Sequence, residues 1–250
     1  MLESFQTLFT PPRHMILLVI ATWLGLLLAE RRTERHGISK EYLNDITFYG
    51  LATFIIGGRL SYVLQNMAAF SKSPLDIVSI NPNLFDMPGA LAAAFIVTLV
   101  HGQRKQLAFW SILDALTPFF AVIFIGLGLS HLAARTAFGL PTDQPWGIDM
   151  WNATRHPTQL YDALASSLIL ILLWFFKPNP RPGVHFLLFT ILTTLSQLIL
   201  QTFRANYVTI FSGFRQEQVL AWLILLVGFI VLEIRLNAVK TNTEIKKNTG

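Results

Sequence analysis

Seven apolar runs alternate with polar stretches along the chain: residues 15–29, 46–64, 84–100, 107–132, 160–176, 184–203 and 219–232. Each reads as a helix entering a bilayer, whose hydrocarbon core takes about 20 helical residues to cross. The first, third, fifth and seventh runs are short and must borrow flanking residues or sit where the bilayer is thin. The pattern predicts an all-α integral membrane protein, a bundle of about seven transmembrane helices. One transmembrane domain covers residues 1–235, and 236–250 form a polar tail. The longer polar stretches, 65–83, 133–159 and 204–218, fall on one side of the bundle, and the short ones, 101–106 and 177–183, on the other. Room for a site lies with the longer loops.

Composition agrees with the pattern. Hydrophobic residues make up 53% of the chain and charged residues 13%, with a mean hydropathy of +0.51; soluble domains carry about 25% charged residues. Lysine and arginine set the orientation. One set of loops holds Arg31, Arg32, Arg35, Lys40, Arg104, Lys105, Lys177, Arg181, Arg235, Lys240, Lys246 and Lys247; the other holds Arg13, Lys72, Arg135, Arg155, Arg204 and Arg215. The positive-inside rule places the richer set in the cytoplasm, so the N-terminus is expected outside and the C-terminal tail inside. The net charge of +5 reflects these anchors and not a nucleic-acid surface. Residues 15–29 lack the charge order and cleavage site of a signal peptide and are expected to remain as the first span. Cysteine is absent, which excludes disulfides, thiolate metal sites and a cysteine nucleophile in this chain. No cofactor and no metal are expected.

Polar side chains inside the apolar runs are the candidates for chemistry, because charge in a bilayer is costly. Gly57, Gly58 and Arg59 lie on the second run; the glycines admit a close neighbour, and Arg59 faces the bundle or a wet cavity. Two readings stand for Arg59: a cation for a lipid phosphate, which a planar guanidinium can grip with two donors, or a buried group tied to carbonyls or a carboxylate. Thr190, Thr194, Gln197, Gln201 and Arg204 are spaced 4, 3, 4 and 3 apart, one face of a helix. They form either a wall of a hydrophilic cavity or hydrogen-bonding glue between helices. Asp114, near Pro118, is either a proton-relay or pairing candidate or, as its depth below Arg59 favours, structural. His131 is either an interfacial hydrogen-bonder or a base suited to neutral pH.

The densest polar cluster is Arg155-His156-Pro157-Thr158-Gln159-Leu160-Tyr161-Asp162, set against the start of the fifth apolar run. Pro157 suits the first turn of that helix, where its missing N–H costs nothing. Gln159 and Asp162 follow three apart. Arg155, His156 and Tyr161 suit a lipid headgroup region, as a site or as an interfacial anchor belt.

This octapeptide and Gly57-Gly58-Arg59-Leu60-Ser61-Tyr62-Val63 resemble the RHPSQLYE-like and GGR-(I/L)-x-YV segments of the bacterial prolipoprotein diacylglyceryl transferase family, in the same order. The resemblance extends to Leu28-Ala29-Glu30-Arg31-Arg32, Asp114 with Pro118, Phe203-Arg204 and Gln218. It implies transfer of a diacylglyceryl group from phosphatidylglycerol to the lipobox cysteine of a prolipoprotein, at the outer side of the bacterial cytoplasmic membrane. The partners implied are a phospholipid and a prolipoprotein signal peptide. Something must then favour the acceptor thiolate, the stronger nucleophile, and cations must hold the phosphate. His156 or His131 answers the first need; Arg59, Arg155 and Arg204 answer the second, with Arg135 as a further phosphate-binding candidate and Gln159, Tyr161, Asp162, Gly58, Gln197 and Gln201 in support. His131, His156 and Arg155 are the catalytic candidates.

Several family positions are replaced. The histidine of the family's HGG motif falls on Met87. The arginine and asparagine of its GR-x-GN core fall on Gly128 and His131, and an arginine and a glutamate of the sixth run on Gln197 and Gln201. The first-span tyrosine falls near His14. Two classes follow: a transferase of this family whose chemistry has moved to other residues, or a non-catalytic paralogue that binds phospholipid or a lipoprotein signal peptide. A transporter is a third, without the paired broken helices that would support it.

Overall fold

The structure is a computed structural model that describes residues 2–79, 81, 84–176, 181–210 and 213–248, with side chains to residue 237. Lys177 therefore lies outside the described residues, as do the side chains of Lys240, Lys246 and Lys247. In chain order the elements are α1 (Leu2–Leu8), α2 (Met15–Glu30), α3 (Lys40–Gln65), α4 (Met67–Phe70), α5 (Met87–Arg104) and α6 (Phe109–Ala134). A hairpin of β1 (Ile148–Met150) and β2 (Ala153–Arg155) precedes α7 (Thr158–Phe175) and α8 (Val184–Leu200). A second hairpin of β3 (Thr209–Ile210) and β4 (Phe214–Arg215) leads into α9 (Gln216–Asn248). Short 3-10 turns occupy Thr33–His36, Pro74–Val78 and Gln201–Phe203.

Among the described residues, five helical stretches are long and apolar enough to cross a membrane: Lys40–Gln65, Phe109–Ala134, Thr158–Phe175, Val184–Phe203 and Gln216–Asn237. Met15–Glu30 is a shorter apolar helix. The third expected span is represented by α5, whose Pro88, Gly89, Thr98, His101, Gln103 and Arg104 dilute its hydropathy. The protein is a helical, multi-pass membrane protein. Its lipid-facing surfaces carry large apolar side chains such as Trp23, Leu168 and Trp222. A bilayer, unlike water, imposes no cost on exposing them.

By internal packing the chain divides into two units, His36–Ile112 and Met1–Arg35 with Leu113–Gly250. In the first, α3 starts on Ser39, whose hydroxyl accepts from the Tyr42 amide. Helix α5 starts on Asp86, whose carboxylate accepts from the Gly89 amide at 2.9 Å and from the Ser61 hydroxyl at 2.7 Å. The two helices meet through small residues. A Cβ on Gly57 would lie 2.3 Å from that of Ala93, and one on Gly58 would lie 2.8 Å from that of Ala90. Arg59 donates from Nε to the Ile77 carbonyl at 2.9 Å, from Nη1 to Leu84 at 2.7 Å and from Nη2 to Asp76. Its guanidinium thus fastens the connection between α4 and α5 to α3.

In the second unit, α2 and α6 approach at Gly126, where a Cβ would lie 2.3 Å from that of Ala21. Ala121, Ile169, Leu173 and Phe189 form the apolar core among α6, α7 and α8. Helix α8 has no cap of its own: it begins on Gly183, in the left-handed region at φ 98°. Asp114 of α6 supplies the cap. Its carboxylate accepts from the Gly183 amide at 2.6 Å and the Phe186 amide at 2.8 Å, satisfying donors that a helix start leaves without internal partners. This is the structural role expected of Asp114. At the end of α7, Arg32 donates to the carbonyls of Leu173 and Trp174 and stacks 3.9 Å over the Trp174 ring.

Candidate active site

The second unit gathers most of the polar residues singled out above. The segment Gly139–Pro141 runs between two others as an irregular strand: Gly139 bridges Arg204 and Pro141 bridges Arg155. The Leu140 amide donates to Phe203 at 2.8 Å, and the His156 amide donates to Leu140 at 3.0 Å. Gly139 has to be glycine, since a Cβ there would lie 2.4 Å from the His156 carbonyl oxygen. The β1–β2 hairpin closes through Trp151 and Asn152, both at positive φ, 54° and 60°, the signature of a two-residue type I′ turn. Asparagine suits that geometry, but tryptophan does not. The Trp151 indole N–H donates to the Arg135 carbonyl at 3.0 Å and helps hold it there.

Helix α7 begins one residue later than expected. Pro157 is its N-cap, and Thr158 is the first helical residue. The Thr158 hydroxyl donates to the Ala137 carbonyl and the Gln159 side chain to Thr136, each at 2.7 Å. Both anchor the helix to the loop after α6. Thr158, Gln159, Asp162, Ala163 and Ser166 are buried on one face, while Leu164 and Leu168 are exposed on the other. The polar side of α7 therefore turns inward.

Asp162 is the hub. One oxygen accepts from Gln197 Nε2 at 2.9 Å, and the other accepts from Arg204 Nη2 in a salt bridge. Both side chains are largely shielded, at 9% and 19% exposure. His131 lies within electrostatic reach of Arg204, Asp162 and His14, and the Ser130 hydroxyl donates to the His14 carbonyl at 3.2 Å. Arg204 Nε is buried with no partner among the described residues. The sequence stripe over 190–204 holds as helix only to Leu200; Gln201–Phe203 tighten into a 3-10 turn, and Arg204 is extended. The arginine still reaches the cluster, because the pairing with Gly139 places it.

The other candidates hold loops. Arg155 donates from Nε to Met150 at 3.0 Å and from Nη1 to Gly139 at 3.3 Å, with Phe138 beneath its guanidinium. Arg135, at φ 54°, donates to the Gln6 side chain of α1. Gln201 is buried, and its carbonyl accepts from Arg215. His156 Nδ1 lies 3.2 Å from the Tyr161 hydroxyl, which accepts from Trp146 Nε1 at 2.8 Å. Trp146, Gln6 and Ser130 escaped the sequence reading. A tryptophan in a long polar loop was the one available sign among them. Arg59, Gly58 and Met87 lie in the first unit. Among the described residues, no group of three or more His, Cys, Asp or Glu side chains is placed to hold a metal ion.

The sequence profile of the prolipoprotein diacylglyceryl transferase family matches residues 13–234. The chain belongs to this family. Among individual relatives it is similar to the phosphatidylglycerol–prolipoprotein diacylglyceryl transferase of Ectopseudomonas mendocina, 32% identical over 181 residues that cover 64% of this chain and 67% of the relative. A protein of the same name from Pseudomonas putida is 32% identical over 169 residues, covering 62% of each chain. The match therefore spans a little under two thirds of that relative. One from Finegoldia magna is 27% identical over 225 residues, 88% of this chain and 89% of the relative. Within the family frame, the structure explains one replacement. At Gly128, where the resemblance expects arginine, a Cβ would lie 2.8 Å from the Gln159 carbonyl oxygen and 3.1 Å from the Ala163 Cβ. Helices α6 and α7 are too close there for a side chain.

Proposed function

We propose that the protein transfers a diacylglyceryl group from a phospholipid, phosphatidylglycerol, to the cysteine thiol of a prolipoprotein signal peptide or a related acceptor. Family membership gives the reaction class, and the Asp162–Arg204–Gln197 cluster, with His131 in its electrostatic reach, is the observation that carries it. The acceptor sulfur bonds to the glyceryl carbon that carried the phosphate ester, and that C–O bond breaks. The electron pair leaves on the glycerol phosphate, and the thiol proton passes to His131. Arg204 faces the phosphate, where a preorganised cation stabilises charge that grows as the bond breaks. Asp162, itself held by Gln197, fixes its position from one side.

Arg155 and Arg135 shape the loops around this centre. The charge asymmetry supports placing the N-terminus outside, the C-terminus in the cytoplasm and the site at the outer face of the bacterial cytoplasmic membrane. The test is purified protein in phosphatidylglycerol vesicles with a lipobox peptide, read by mass spectrometry. A diacylglyceryl adduct is expected, falling about a hundredfold or more in initial rate in Arg204→Ala, the scale set by loss of one transition-state donor. No adduct with phosphatidylglycerol or any other phospholipid refutes the transferase. Retention of anionic lipid without turnover would instead identify a binding paralogue.

A further inference from the structure

We propose that Trp146 and Tyr161 are positioning residues that hold the neutral His156 imidazole with its proton on Nε2, so that His156 meets a substrate as a hydrogen-bond donor and not as a base. The inference follows from counting protons. An indole N–H can only donate, so the 2.8 Å contact from Trp146 Nε1 makes the Tyr161 oxygen an acceptor. The oxygen could accept a second time, but its own proton would then have no acceptor among the described residues; donating to His156 Nδ1, 3.2 Å away, satisfies it. A hydroxyl that donates to Nδ1 requires a lone pair there, and a neutral imidazole with a lone pair on Nδ1 carries its proton on Nε2.

The ring is not free to evade this arrangement. The His156 amide donates to Leu140 and its carbonyl accepts from the Thr158 amide at 2.9 Å, which pins the main chain on both sides. The Phe203 ring packs against the imidazole with centroids 5.1 Å apart, and Tyr161 packs on it as well. Trp146 is 57% exposed, so burial does not explain its orientation; the bond to Tyr161 does. In the transfer reaction, the Nε2–H would donate to a phosphoryl or ester oxygen of the lipid, leaving proton removal to His131. That last step rests on the proposed function, whereas the tautomer does not.

The tautomer is read directly by long-range proton–nitrogen correlation on 15N-histidine-labelled protein in lipid nanodiscs, with the His156 signals identified by their loss in His156→Gln. The wild type should show protonated Nε2 and unprotonated Nδ1 at a pH where the ring is neutral. Tyr161→Phe should bring in the Nδ1–H form. Trp146→Phe, a change at an exposed position that keeps an aromatic ring, should weaken the bias without unfolding the loop. A wild type in the Nδ1–H form, or an unchanged ratio in both variants, overturns the proposal. Transfer assays supply the second arm. Glutamine places its amide near Nε2 and asparagine near Nδ1, so His156→Gln should keep activity within about tenfold of wild type, while His156→Asn and His156→Ala lose about a hundredfold. If glutamine is as inactive as alanine, His156 is a base and the donor role is wrong. If wild-type protein makes no adduct at all, the transferase reading fails while the nuclear magnetic resonance result still decides the tautomer.

Discussion

Replacing Asp162 by alanine, Arg204 by alanine, and both together measures how far the two charges depend on one another. With side-chain exposures of 9% and 19%, neither group left alone would recover full hydration. Breaking a shielded pair from one side costs about 3–5 kcal/mol. Arg204→Ala leaves a carboxylate that still accepts from Gln197 at 2.9 Å, which places it near the lower figure, at about 3 kcal/mol. Asp162→Ala strands the guanidinium and also strips Gln197 of its acceptor, so about 4 kcal/mol is expected. The double variant leaves no charge behind and should be no less stable than Asp162→Ala, which makes the coupling energy about 3 kcal/mol. Reversible unfolding by titration with dodecyl sulfate in mixed micelles, followed by far-ultraviolet circular dichroism, yields all three values. If the double variant loses the sum of the singles, about 7 kcal/mol, the two side chains act independently and the hub described around Asp162 is wrong.

Two further outcomes follow from named contacts. Asp114→Ala removes the acceptor of the Gly183 and Phe186 amides and should cost about 2–4 kcal/mol in the same titration, with Asp114→Asn losing about half as much because one acceptor remains. Gly128→Ala inserts a methyl group 2.8 Å from the Gln159 carbonyl oxygen; it should destabilise by about 1–3 kcal/mol and slow transfer, because α7 carries Asp162. An unchanged unfolding midpoint in Gly128→Ala would contradict the close approach of α6 and α7.

The helices were legible because a bilayer sorts side chains by hydropathy over whole turns. The run 160–176 corresponds to Thr158–Phe175 and the run 107–132 to Phe109–Ala134. The ends were less so. Helix α3 begins six residues before its apolar run, at Lys40, because Ser39 caps a turn that hydropathy scores as loop. Helix α9 continues from Gln216 to Asn248, through residues that read as a polar tail, since a helix needs amide partners and not lipid. Gln197, Asp162 and Arg204 could be named from the sequence, but their meeting could not. Arg204 arrives through a pairing with Gly139, 65 positions earlier, that no helical period encodes. The Trp146–Tyr161–His156 chain is set by loop geometry for the same reason, and Arg59 found its partners in carbonyls, which every residue carries and no sequence pattern distinguishes.

The cap that Asp114 places on α8 has a consequence for how the protein is made. The residue that completes the first turn of α8 is synthesised 69 and 72 positions before the amides it serves. In lipid, bare amides find no water to bond. The first turn of α8 therefore has its acceptor only once the helix has docked on α6. Supplied as a separate fragment, α8 would lack the acceptor of its Gly183 and Phe186 amides.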